Sequence, residues 1–195
     1  MMRNRFAAAA IALVLATPAV AWAPALATRL SPQPASKLWV EGTSTVRSYK
    51  CEAQKINGGL DLQGELPATV AELQAAVTGV DLTIPVAQLD CGNGTMNDHM
   101  RKALKTDANP MIKFNLTKHE VAASGAVTMT GKLSIAGQEQ PVTLTANATQ
   151  ENGGLRVKGS KQLKMSEFGV KPPSLMMGTM KVGDPVTVHF DLVLK

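Results

Sequence analysis

The sequence predicts an all-β domain: a closed antiparallel sheet of about eight strands with one or two short helices. Three observations carry this. Segment after segment alternates apolar and polar residues, the mark of a strand with one buried face. Gly-rich turns separate these segments, as in Asn152-Gly153-Gly154. The alternation gives way to a helical spacing between Thr95 and Pro110. The clearest strand is the last, where Val186, Val188, Phe190, Leu192 and Leu194 share a face. A closed sheet of this size has an interior that side chains fill or that holds one small apolar ligand.

The elements follow in chain order. Leu38 to Val46 opens the domain as a strand that extends through Tyr49 to Ala53. Gly58-Gly59 is a turn, and Leu60-Asp61-Leu62 starts the next strand. Val80, Leu82, Ile84 and Val86 alternate up to Pro85, which lacks an amide donor and so ends the strand or marks an edge. Thr95 is the expected cap of a helix over about 96 to 105, with Met96, Met100, Ala103 and Leu104 at helical spacing. Asn109-Pro110 is the expected stop. Strands resume at Ile112, Phe114 and Leu116, at Val127, Met129, Leu133 and Ile135, and at Val142, Leu144, Ala146 and Ala148. After the 152–154 turn come Leu155 and Val157, then Leu163 and Met165, and an irregular piece over 167–180 before the final strand.

Residues 1–27 have the form of a secretory signal peptide: Arg3 and Arg5, an apolar run from Phe6 to Leu15, and cleavage patterns ending near 21 or 27. Residues 28–37, with Pro32 and Pro34, are expected to be a Pro/Ala/Ser-rich lead-in, leaving 38–195 as one domain. The chain carries 20 Lys and Arg against 15 acids. Without Arg3 and Arg5 the balance is 18 against 15, about +3, too small to argue for a nucleic-acid partner. Cys51 and Cys91, an even pair in an exported chain, are expected to form a disulfide. Neither has metal-ligand spacing, and no metal or cofactor is expected apart from a bound isoprenoid or fatty-acid-type lipid. Seven aromatic residues are too few for the two girdles of a membrane barrel, so no stable membrane span is expected. The chain is expected to be periplasmic or secreted. Its oligomeric state stays open, a homodimer included.

Several motifs together resemble the YceI-like family. Met129 to Leu144 contains Gly131, Leu133, Ile135, Gly137, Pro141 and Val142 in the family's G-x-L-x-I-x-G-x-x-x-P-V order. Trp39-Val40 with Ser44 and Val46 is similar to its opening strand, and Asp98-His99-Met100-Arg101 to its helix. Asn109-Pro110-Met111-Ile112-Lys113-Phe114, Phe168-Gly169-Val170 and Val182 to Val186 match its later sections. The resemblance implies a lipocalin-like barrel in the periplasm whose cavity holds a polyisoprenoid or other lipid chain. Two departures stand out. Ala103-Leu104-Lys105-Thr106 replaces the usual Phe-Phe pair, so the cavity mouth is expected to differ. The cysteine pair is not a general family feature.

The expected cavity wall comprises Leu82, Ile84, Phe114, Met129, Leu144, Met165, Phe168, Met176, Met177, Met180 and Phe190. Eight methionines remain after Met1 and Met2, and an unbranched thioether repacks around varied shapes. Arg101, Lys102 and Lys105 are expected on a solvated helix face, with contact to a phosphate headgroup at the mouth as the alternative. No enzyme is expected. Adjacent residues on a helix diverge, so Asp98 does not orient His99, and no Gly-x-Ser-x-Gly elbow is present around Ser44 or Ser166. His99 is expected to hydrogen-bond the loop over the cavity. The competing reading is a disulfide-stapled interaction or stress domain with a filled core and no ligand.

Overall fold

A computed structural model describes residues 27–175 and 179–195. Its described residues form twelve strands, two short helices and two single 3-10 turns. The strands are β1 (Ala27–Leu30), β2 (Lys37–Ser44), β3 (Ser48–Ala53), β4 (Asn57–Gln63), β5 (Val77–Pro85), β6 (Leu89–Asp90), β7 (Met111–Val121), β8 (Ala126–Ile135), β9 (Gln138–Glu151), β10 (Gly154–Lys164), β11 (Ser174–Leu175) and β12 (Met180–Leu194). The helices are α1 (Leu73–Ala76) and α2 (Gly94–Ala103). Every strand pairing in the sheet is antiparallel, and the order is β1-β4-β5-β7-β8-β9-β10-β12-β2-β3-β6.

The sheet curls into a wall whose two ends are drawn together by short segments. β1 pairs with β4, and the chain just after it turns to β12: Pro32 bridges Leu194, and Ser31 and Lys195 exchange both backbone hydrogen bonds. Of residues 28–37, expected as a lead-in, 28–30 and Lys37 lie in strands and Pro32 in a single bridge, while Pro34 and Ala35 form a turn between them. At the opposite end, β6 carries the chain from β5 across to β3. The strand count exceeds the expected eight because β1, β6 and β11 are too short to show an alternation. In addition, the stretch from Leu38 to Ala53 is two strands, folded back at 45–47, rather than one.

Hairpin chemistry sets two of the long pairings. Asn152 and Gly153 both have positive φ, as do Ala136 and Gly137, the handedness that matches strand twist in a two-residue turn. α2 starts two residues earlier than expected. Asn93, not Thr95, is its cap, its side chain accepting the Met96 amide at 3.1 Å. Lys105, at φ 52°, ends it before Pro110 is reached. Pro85 does end β5, which lies inside the sheet between β4 and β7.

Two apolar clusters fill the interior. The base packs Leu30, Leu62, Leu73, Ala148, Leu155 and Leu194, among others, where β1 meets β4 and β12. The second cluster gathers Phe114, Val142, Leu163, Phe168 and Val170 toward α2. No buried polar or charged residue occurs among the described residues.

Candidate functional site

Between these clusters the sheet encloses a cavity of about 350 Å³. That is within the ~300–1,000 Å³ typical of small-molecule sites, at its lower end. The wall is built by strand parity. Along β12, Val186, Val188, Phe190, Leu192 and Leu194 all line it, and along β2 so do Leu38 and Val40. α2 lies against the cavity with one face: Met96, His99, Met100, Ala103 and Leu104 line it at helical spacing.

The positions singled out in the sequence fall as follows. Leu82, Ile84, Phe114, Met129, Leu144, Met165, Phe168, Met180 and Phe190 lie on the cavity wall, and so do Cys51 and Cys91. Met176 and Met177 lie outside the described residues. Cys51 and Cys91 are bonded, tying β3 to the chain just ahead of α2. The Met100 sulfur sits 3.8 Å from Cys91 Sγ, so the disulfide and the helix meet at the wall.

The candidate headgroup cations are placed elsewhere. Arg101, Lys102 and Lys105 border a separate surface depression with Asp98, on the side of α2 away from the cavity. Arg101 pairs with Asp98 at 3.4 Å. The helix turn that puts Ala103 and Leu104 inward sends these residues outward. His99 touches both spaces, and its ring makes no hydrogen bond among the described residues, so it does not tie down a loop as expected. The cavity's own basic residues are Arg47, Lys161 and Lys164, which the sequence reading missed. Parity was the available signal for Lys161: it shares the inward register of Leu155, Val157 and Leu163 on β10. Tyr49 also lines the cavity, and burial raises the pKa of its phenol.

The hydroxyls considered for chemistry are held in local structure. Ser44 Oγ accepts the Arg47 amide at 3.1 Å in the β2–β3 turn. Ser166 Oγ donates to Asp184 at 2.6 Å, and that hydrogen bond, with a second from the Ser166 amide, lowers the Asp184 pKa. His119 Nε2 is 3.1 Å from the Gln74 carbonyl, and the His189 ring stacks on Trp39 at 5.0 Å. None of these histidines is hydrogen-bonded to either serine among the described residues.

With the curled sheet and its apolar cavity established, comparison with known proteins places the chain. The model of the YceI-like domain matches residues 36–194. This protein belongs to the YceI-like family. A UPF0312 protein of Shewanella denitrificans is 31% identical over 100 residues, 47% of this chain and 52% of the relative. The match therefore spans about half the length of that curated relative. Burkholderia cenocepacia BcnA superposes with a TM-score of 0.69 at 23% identity, covering 83% of this chain and 98% of BcnA. A polyisoprenoid binding domain from Saccharophagus degradans, implicated in plant cell wall breakdown, superposes at 0.64 with 13% identity, covering 86% and 97%. At these identities the two structures establish the shared lipocalin-like fold of this YceI-like chain. No helix among its described residues is long and apolar enough to cross a membrane.

Proposed function

We propose that this YceI-like protein binds a long apolar chain, a polyisoprenoid or another lipid, inside the barrel. It acts as a carrier or store in the periplasm or outside the cell, without chemistry on its cargo. The observation that carries this is the cavity wall, apolar along strands from every side of the barrel and along one face of α2. Family membership supports it, and so does the Saccharophagus degradans relative described as polyisoprenoid binding. The disulfide and the signal-like first 27 residues support export.

The energetics are adequate. Each methylene moved from water contributes about 0.8 kcal/mol, so a ten-carbon stretch gains several kcal/mol after ordering costs. The adaptable part of the wall is Met96, Met100, Met129, Met165 and Met180, whose thioethers repack around a flexible chain.

A cavity-filling variant tests the reading. Leu144→Trp places a large ring into the space from the middle of β9. It is expected to lower affinity for a C20 prenol by about tenfold or more, read by displacement of an apolar fluorophore, with little change in melting temperature. Unchanged affinity in a folded variant places the ligand elsewhere and overturns the reading.

A further inference from the structure

We infer that the cavity selects a chain ending in a carboxylate, with Lys161 as its headgroup contact and Tyr49 as a second donor. This rests on the reading of the cavity as the ligand site and adds the chemical class of the head.

The wall is apolar almost throughout, and Lys161 interrupts it. On β10 the inward positions are Leu155, Val157, Gly159, Lys161 and Leu163. Lys161 pairs across the sheet with Val188, itself on the cavity wall and followed across β2 and β3 by Val40 and Cys51. Its neighbours on the β12 side are thus wall residues. Lys161 is half-buried and makes no ion pair or hydrogen bond among the described residues. Lys158, outward on the same strand, has a carboxylate, Asp191, at 3.1 Å. A lysine on an apolar cavity wall without a partner in the protein is free to meet a ligand anion.

The sign of the whole lining agrees. Arg47, His99, Lys161 and Lys164 line the cavity, and no Asp or Glu does among the described residues. An apolar-walled space with basic groups and no acid attracts an anion and repels a cation. Tyr49 adds a neutral donor. It faces inward from β3, its ring laid over Gly42, and its hydroxyl makes no hydrogen bond among the described residues. Gly42 pairs with Val186 and Val186 with Leu163, so Tyr49 stands three strands around the wall from Lys161 and one residue layer nearer α2, both side chains facing the same interior.

Position and charge favour a carboxylate. Lys161 lies one layer inside the cavity's α2 end, below Leu163, so the head is taken inside rather than left in solvent. Of the lining Lys and Arg residues among the described residues, Lys161 alone is not exposed, and its one ammonium with the Tyr49 hydroxyl matches two oxygens sharing one negative charge. The chain then runs from Lys161 toward Phe190 and the aliphatic base.

The test uses three probes on the mature protein: oleate, oleyl alcohol and a C20 prenol. Affinities are read by displacement of an apolar fluorophore. Oleate is expected to bind about tenfold or more tightly than oleyl alcohol, which has the same chain. Lys161→Met should abolish that preference while keeping alcohol affinity, Lys161→Arg should retain it, and Tyr49→Phe should reduce it severalfold. Lys161→Gln is a second, polar replacement should the methionine variant fold poorly. Equal binding of oleate and oleyl alcohol by the parent, or a preference that survives Lys161→Met and Lys161→Gln, overturns the headgroup assignment. Prenol binding without oleate binding does so as well, and leaves the apolar-ligand reading standing. Binding of none of the three probes overturns both.

Discussion

Gly42, Gly131 and Gly159 each lie beneath an aromatic ring, those of Tyr49, Phe114 and Phe190, that leaves no room for a Cβ. The rings are thereby laid along the wall instead of across the space, which is how a barrel with aromatic lining keeps a cavity. Charge on the outer face is organised just as locally. Asp191 receives two hydrogen bonds from Arg156, at 2.7 and 2.8 Å, and a contact from Lys158. The Arg156 bonds, opposed by partial burial and aided by Lys158, hold its pKa at about 2. An unfolded Asp titrates near ~3.9, so this contribution is complete above about pH 4 and is lost as pH falls through about 2. Asp191→Asn is expected to cost about 1–2 kcal/mol at neutral pH, given the solvent exposure of the cations, and to flatten the loss of stability between pH 4 and 2. Denaturant melts across that window check it, and parallel profiles for parent and variant contradict it. The inward lysine was legible by the same arithmetic that placed Val157 and Leu163. A charged side chain in an inward register breaks the hydrophobic pattern by which such positions are recognised.

α2 shows what an element's sequence discloses and what it withholds. The spacing of Met96, Met100, Ala103 and Leu104 revealed the helix and its cavity face. The cap and stop were misplaced because Asn93 outcompetes Thr95 for the free amides and Lys105 turns left-handed before Pro110. The basic residues of the helix lie on the solvated face that their charge favours, where the 100° step per residue sets them away from the cavity. β1 was hidden for a different reason. Four residues show no period, and its pairing with β4 and the neighbouring bridge to β12 are fixed by chain closure rather than by local pattern. The Cys51–Cys91 bond joins residues 40 apart and anchors the approach to α2. Chain-entropy arguments assign it about 4 kcal/mol. Replacing both cysteines with serine is therefore expected to lower stability by roughly that amount. Amide exchange should rise sharply in 94–104 and little in β8–β10. A uniform rise across the barrel would show that the bond does not hold the helix in particular.

At the scale of the molecule, the strand alternation foretold both the fold and the presence of an oily interior. Nine of the eleven expected wall positions fall on the cavity lining, and the other two, Met176 and Met177, lie outside the described residues. That the interior is partly open could not be read from the alternation. A filled core and a hollow one share the same pattern, and the difference lies in side-chain volumes summed across strands far apart in sequence. The long inward face of β12 and the glycines beneath the aromatic rings are where the space is made. The central claim is that an apolar chain occupies it. Native mass spectrometry of the protein as purified from the cells that make it, followed by organic extraction, tests this most directly. The account predicts a discrete added mass that solvent releases, rich in acyl or isoprene units. A clean unliganded mass that stays unchanged after incubation with oleate and a C20 prenol would contradict it.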